Sequence, residues 1–246
     1  MKTPRGQALA FGQAVDVYER SRPGYPAAAL DWALPAGARR VADVGAGTGK
    51  LTRELVGRGL EVVAVEPDDA MRAELGRRVP EAVAVAGSGE SIPLPDAGLD
   101  AVFFAQSWHW VDPPAAATEV ARVLAPGGRL GLLWNRRDDR VDWIAALSEL
   151  MIGAGGSPDQ GWSPVVPAPF APLDRTEVGW THRLAPDGVL DMVASRSYVI
   201  LLAPADREAL LARVRELLAT HPEVSGRDVV DIPYVTECYR TTPLDR

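Results

Sequence analysis

The sequence predicts an α/β fold, a doubly wound and mostly parallel sheet, and three observations carry that reading. Short apolar runs of strand length alternate with helix-length periodic segments through roughly residues 36 to 136. A glycine-rich turn joins the first such strand to the first such helix. The chain, with 246 residues of which 47% are hydrophobic and 24% charged, has the material for a sizeable core.

Taken in order, Gln7 to Glu19 shows helical spacing through Leu9, Ala14 and Val17, and the Ser-Arg-Pro-Gly-Tyr-Pro run Ser21 to Pro26 stops it as a rigid arm. A helix is predicted from Pro26 to Leu34. Strands follow at Arg40 to Val44, Glu61 to Glu66, Ala82 to Ala86, Leu99 to Ala105 and Arg129 to Trp134. Between them lie helices at Thr48 to Arg58, Asp68 to Arg78 and Pro113 to Leu124, the last closed by a Pro126-Gly127-Gly128 turn. Repeated strand–helix–strand units imply right-handed crossovers and a sheet covered on both faces. The later part is less regular: Gly153 to Pro172 is crowded with Gly, Pro and Ser, holds Trp162 and Phe170, and reads as an ordered loop or lid. Beyond it come a strand at Thr176 to Leu184, helices at Pro186 to Arg196 and Ala205 to Thr220, and a last strand at Ile232 to Thr241 whose alternation suits a sheet edge.

Charge and composition exclude several function classes. The formal charge is −7, and the basic residues are scattered, so nothing resembles a phosphate-neutralising stripe and a nucleic-acid partner is not expected. No uninterrupted apolar stretch approaches the roughly 18 residues of a membrane span. The single cysteine, Cys238, forbids an intramolecular disulfide, and with only His109, His182 and His221 beside it no Cys/His metal cluster is expected. The apolar run after Lys2 and Arg5 is short and broken by Gln13 and Asp16, which is no export signal; a cytoplasmic protein is expected.

The most informative stretch is Val41-Ala42-Asp43-Val44-Gly45-Ala46-Gly47-Thr48-Gly49-Lys50. A phosphate-cradling P-loop would need glycine at position 44 and Ser or Thr at 51, where Val44 and Leu51 stand. A dinucleotide fingerprint would need its third glycine at position 50, which is Lys50. What remains is Gly-x-Gly-x-Gly preceded by Asp43: glycines that let a ligand approach the backbone, and an acid at a strand end that attracts a cationic ammonium. Glu66, 17 residues after Gly49, ends the second strand and is placed to accept both hydroxyls of a ribose.

These residues resemble motif I and the second-strand acid of the class I S-adenosylmethionine-dependent methyltransferases. Along about residues 7 to 145 the resemblance extends to Gly87-Ser88-Gly89-Glu90-Ser91-Ile92-Pro93-Leu94-Pro95-Asp96 with Leu99-Asp100-Ala101-Val102, and to Arg122-Val123-Leu124-Ala125-Pro126-Gly127-Gly128 before the fifth strand. Arg22-Pro23-x-Tyr25-Pro26 and Gln106-Ser107-Trp108-His109-Trp110 are similar to small-molecule methyltransferases of the trans-aconitate methyltransferase group. The resemblance implies a Rossmann-like, mostly parallel seven-stranded sheet with an antiparallel last strand and a helical insertion in the C-terminal half. It further implies a single domain over 1–246, comprising an N-terminal helical arm or lid (1–35), a cofactor-binding core (36–136) and a C-terminal part of helices, loop and edge strands (137–246).

The cofactor implied is S-adenosyl-L-methionine, held by Asp43, Gly45, Ala46, Gly47, Thr48, Glu66, Pro67, Met71, Gly89, Glu90 and Gln106, with Arg22 and Tyr25 closing over it. Where the family usually carries an adenine-binding acid, this chain has Ser88, which accepts a hydrogen bond but brings no charge. Ligands of open parallel sheets sit beyond the carboxyl ends of the strands, which assigns the methyl acceptor to Trp108, His109, Trp134, Asn135 and Arg136. Of these, His109 between two tryptophans is the candidate catalytic residue, a base for a hydroxyl or amine acceptor or a hydrogen-bond donor to a carboxylate. The residues alone leave the acceptor and the oligomeric state open. An NAD-linked oxidoreductase and a non-catalytic cofactor-binding scaffold are the competing readings.

Overall fold

In the computed structural model, which describes residues 22–156 and 163–244, the chain runs α1 (Ala27–Ala33), β1 (Arg40–Val44), α2 (Lys50–Val56), β2 (Glu61–Val65), α3 (Asp69–Arg78), β3 (Val83–Val85) and β4 (Leu99–Ala105). A 3₁₀ turn (Trp108–Trp110) leads to α4 (Pro113–Val123), β5 (Leu124–Arg137), α5 (Asp142–Gly153), β6 (Asp174–Leu184), α6 (Pro186–Ala194), α7 (Ser197–Ile200), α8 (Pro204–Thr220) and β7 (Val230–Thr241). The strands form one seven-stranded sheet in the order β3-β2-β1-β4-β5-β7-β6, parallel through β3, β2, β1, β4 and β5, with β7 antiparallel. This is the expected Rossmann-like architecture.

Two compact units are distinguishable along the chain. The first comprises, of the described residues, 24–135, 163–178 and 235–244. Its strands read as continuous apolar runs because successive side chains enter opposite layers and both layers are dry. Val41, Ala101, Phe103 and Leu133 meet Leu30, Leu51 and Leu55 of α1 and α2, whereas Ala42, Val102, Phe104 and Leu132 meet Ala116, Ala117 and Val120 of α4. Capping fixes the helix starts: Asp68 accepts from Met71 N at 2.8 Å ahead of α3, and Asp112, followed by two prolines, accepts from Ala115 N at 3.2 Å ahead of α4. The other unit comprises 22–23, 136–156 and 179–234. Its core is built from Trp143, Ile144 and Leu147 of α5, Val189 and Met192 of α6, and Leu210 and Val214 of α8.

Three expectations are corrected. The Pro126-Gly127-Gly128 segment does not end α4 in a free turn; β5 begins at Leu124, and the segment is a bulge in which Gly127 takes a φ of +77° and the register slips between Leu99↔Leu124 and Ala101↔Arg129. The last strand is not an edge. It lies between β5 and β6, and the polar residues that gave it alternation are buried and hydrogen-bonded, Thr236 to Asn135 Oδ1 at 2.6 Å and Thr241 to the Ala171 carbonyl at 2.7 Å. The helix expected over Pro186 to Arg196 ends at Ala194, with α7 following. The helix expected at Gln7 to Glu19, and Trp162, lie outside the described residues. Phe170, by contrast, is buried against the first unit's core. Among the described residues no helix is long and apolar enough to cross a membrane.

Candidate active site

The turn after β1 is built to bring backbone close to a neighbour. Gly45 has a φ of +69°, and a Cβ there would stand 2.6 Å from Ser107 Cβ, so side chains are excluded by conformation and by space together. Gly49, at φ +90°, precedes α2 in the left-handed region, and a Cβ would press Leu75 Cγ at 3.0 Å. Gly45 and Ala46 both donate backbone N–H groups to the Val65 carbonyl, at 2.8 and 3.2 Å, fastening the turn to the end of β2. Beneath it Asp43 is buried: its Oδ2 accepts the Thr52 hydroxyl at 2.6 Å, and its Oδ1, equally buried, has no hydrogen-bond partner among the described residues. Thr48 is buried in the same turn.

Glu66 closes the next strand. One carboxylate oxygen accepts from Gly47 N at 2.8 Å and the other from Asp68 N at 2.9 Å, so each is oriented while lone pairs remain for a further donor. Pro67 is exposed beside it, and Met71 Sδ lies 3.8 Å from where a Cβ on Gly47 would be. After β3, Ser88 and Ser91 exchange backbone hydrogen bonds at 3.1 and 3.2 Å, and Gly89 is buried under Val111 and Phe104, where a Cβ would come within 2.7 Å of Val111 Cγ1. Burial opposes the charge on Glu90, yet hydrogen bonds from Asp112 N (2.8 Å) and the Ser88 hydroxyl hold its carboxyl below the usual range. The Ser88 hydroxyl is thus engaged as a hydrogen-bond donor to a neighbouring carboxylate. Arg122 anchors the far side of this loop, donating to the Ile92 and Leu94 carbonyls at 2.9 and 3.0 Å while paired with Glu119.

At the end of β4, Gln106 has a φ of +60°, uncommon for a residue with a side chain, and its Nε2 donates to the Asn135 carbonyl at 2.8 Å. Ser107 donates its hydroxyl to the Val44 carbonyl at 2.7 Å, tying the ends of β4 and β1 together. The next three residues form a 3₁₀ turn in place of the expected loop, and its threefold geometry sends Trp108 inward while His109 and Trp110 stay exposed. Trp108 is therefore a core residue, edge-on to Phe104 at 4.8 Å with its N–H on the Val165 carbonyl, which corrects its assignment to the acceptor wall. Trp110 and Trp134 flank His109, their rings standing 4.4 and 4.9 Å from it. Their partial desolvation of the imidazole holds its pKa below 6.5.

Asn135 is engaged on both sides of its amide, Nδ2 donating to the Gly24 carbonyl at 2.7 Å and Oδ1 accepting from Thr236, so its role is to anchor the arm next to Tyr25. Tyr25 is half-buried against the core of this unit. Arg22 and Arg136 belong to the other unit, where Arg22 donates to the Ser195 carbonyl at 3.1 Å. Sequence reasoning missed Thr52, Ser107 and Thr236. Only Ser107 carried a signal, its position one residue past Gln106.

Residues 42–132 match a family model described as a methyltransferase domain. An uncharacterized methyltransferase of Mycobacterium tuberculosis is 52% identical over 97% of each chain, and a methyltransferase-like protein of Schizosaccharomyces pombe is 32% identical over 93% of each. The chain belongs to the methyltransferases. The fold agrees: a candidate type II methyltransferase from Anaeromyxobacter dehalogenans superposes with a TM-score of 0.68 at 23% identity, over 90% of this chain and 97% of that one. The methyltransferase is S-adenosylmethionine-dependent, and with that the NAD-linked and scaffold readings fall.

The residues present suit that cofactor. A buried carboxylate with one oxygen that has no hydrogen-bond partner among the described residues, under a glycine-rich turn, fits a cationic amino acid moiety, and the oriented Glu66 carboxylate fits a diol. Burial, opposed by hydrogen bonds from Thr52 and reinforced by the charge of Glu66, pushes Asp43 up to about 7 from an ordinary carboxylate value. Between about pH 4 and 7 the folded methyltransferase therefore holds a proton that the unfolded chain has released. The resulting stability contribution is complete below about pH 4, declines with rising pH and is gone above about 7. A cation beside Asp43 favours the charged form, so cofactor binding below pH 7 should expel this proton. Calorimetry of S-adenosylhomocysteine binding at pH 6 in buffers of different ionisation heat should detect proton release, absent in Asp43→Asn. Equal apparent enthalpies in wild type would show that Asp43 stays neutral.

Proposed function

We propose that the enzyme acts as a single domain transferring the methyl group of S-adenosylmethionine to a small-molecule acceptor bound beyond the ends of β4 and β5. One observation carries this reading. The glycine-rich turn touches Ser107, Gln106 bonds to Asn135, and His109 abuts Trp134, which supports a donor cradle and an aromatic wall adjoining at the carboxyl ends of the neighbouring strands β1, β4 and β5. The cofactor, when bound, supplies an electrophilic methyl on a sulfonium.

The chain's own residues bind, orient and exclude water. Gly45, Ala46, Gly47 and Thr48 cradle the amino acid portion above Asp43. Glu66, with Pro67 and Met71 beside it, receives the ribose, and Ser88, Gly89 and Glu90 border the adenine. Tyr25 covers this side, held through the Gly24 carbonyl by Asn135. His109 takes the acceptor's proton, for which its neutral state at pH 7 is suited. The arm and the Gln106–Trp110 run, similar to the trans-aconitate methyltransferase group, support a small acceptor, and the single buried thiol of Cys238 suits a reducing cytoplasm.

The test uses methyl-labelled cofactor with a cell extract split by size. Label should accumulate in the small-molecule fraction. Label confined to protein or nucleic acid would overturn the proposal.

A further inference from the structure

The 3₁₀ turn that carries His109 is pinned on both sides. Ahead of it, Ser107 donates its hydroxyl to the Val44 carbonyl at 2.7 Å and stands against Gly45, while Trp110 N closes the turn on the Ser107 carbonyl at 3.0 Å. Behind it, Val111 packs on Gly89, and the Glu90 carboxylate accepts from Asp112 N at 2.8 Å. The loop that supplies Gly89 and Glu90 rests in turn on the end of β2: a Cβ on Gly87 would come within 2.9 Å of Val65 Cγ1, and Glu66 N donates to the Val85 carbonyl at 3.1 Å.

The bond from Asp112 to Glu90 completes the start of α4 from outside the helix. In a capping box the N-cap side chain receives the N–H three residues on, and a Glu or Gln at that third position reaches back to the N-cap N–H. Asp112 performs the first half, accepting from Ala115 N at 3.2 Å, but alanine has no group to return. The Asp112 N–H is satisfied instead by Glu90, 22 residues upstream on another loop. A helix cap alone needs only a local carboxylate, which the exposed position 115 could carry. Supplying it from the loop after β3 adds a mechanical tie between that loop and the residues just past His109.

We infer, building on the placement of the adenine and the role of His109 proposed above, that Glu90 is a positioning residue for His109, so that filling the cofactor site sets the imidazole. A base lodged against Ser88, Gly89 and Glu90 shifts that loop, and the shift passes through two short links. One is the packing of Gly89 on Val111, and the other is a hydrogen bond to an ionised group, the stronger kind. Both end within three residues of His109. Close-packed segments move between discrete arrangements and do not deform continuously, so the pinned turn answers as a unit. The order that follows is donor first: the imidazole reaches its working position once the cofactor is in place.

NMR of the His109 ring and the Gly89 amide tests this, with the ring signal assigned by its absence in His109→Gln and S-adenosylhomocysteine added to saturation. In wild type both signals should move. Glu90→Ala should still bind the ligand and move the Gly89 amide, while the His109 shift is lost. The control is the double variant Glu90→Ala/Ala115→Glu, which returns a carboxylate to Asp112 N from within α4 and so restores the cap without the tie. It should regain the Tm lost in Glu90→Ala yet leave the His109 ring unresponsive, and its restored cap keeps the measurement possible even if the single variant does not fold. A His109 shift of wild-type size in the double variant would overturn the inference, because the ligand would then act on the ring without Glu90. A still ring beside a moving Gly89 amide in wild type would overturn the coupling alone and leave the placement of the adenine standing. A Gly89 amide that does not move at saturation would overturn that placement, and the inference with it.

Discussion

Replacing His109 by alanine is expected to lower kcat by a factor of about 10² to 10⁴, the usual contribution of a positioned general base, while leaving the cofactor Kd unchanged. The residue lies in the 3₁₀ turn beyond β4, whereas the cradle proposed for the cofactor lies in the turn after β1 and at the end of β2. Desolvation by Trp110 and Trp134 places its pKa below 6.5, so the imidazole is already neutral at pH 7. The sign follows directly: kcat should be level above pH 7 and fall with acidification as the imidazolium forms, because a protonated ring cannot receive the acceptor's proton. His109→Ala should lose this acid limb along with the rate. Rescue of kcat by His109→Gln, with a pH-independent profile, would point to hydrogen-bond donation, the role suited to a carboxylate acceptor. Wild-type turnover in His109→Ala would leave alignment alone as the source of catalysis.

Much of this was legible in the sequence where local chemistry and global packing agree. The run Arg40 to Val44 carries Val41 on one face and Ala42 and Val44 on the other and ends at the glycine-rich turn, and the first strand begins and ends as expected. The glycine and acid pattern around Asp43 and Glu66 was visible because a ligand that approaches backbone permits few residue types. What stayed hidden depended on distant contacts. Thr236 and Thr241 look like solvent-facing polar positions until Asn135 and Ala171 are seen to satisfy them, which turned an interior strand into an apparent edge. Helix α5 carries its apolar face at Trp143, Ile144, Leu147 and Met151 but has no side-chain cap to announce its start. The direction of Trp108 depended on whether residues 108–110 coil, and three residues hold no periodicity from which to judge.

Glu66→Ala should weaken cofactor binding by about 1.5 to 3 kcal/mol, roughly 10- to 150-fold, the range for hydrogen bonds to a charged group. Two effects contribute, and they are separable. The carboxylate accepts Gly47 N and Asp68 N, so its loss also loosens the glycine-rich turn and the start of α3. Glutamine is no conservative control, since its amide nitrogen would face one of these two N–H donors. Glu66→Asp keeps the charge but withdraws it by one methylene, and should bind with intermediate affinity. The decisive comparison pairs each variant with S-adenosylhomocysteine and its 2′-deoxy analogue in calorimetry. If the carboxylate receives the ribose hydroxyls, wild type should distinguish the two ligands and Glu66→Ala should not, because the group that reads the hydroxyl is gone. An identical fold-loss for both ligands would mean that Glu66 acts through the turn it holds, with the ribose bound by other groups.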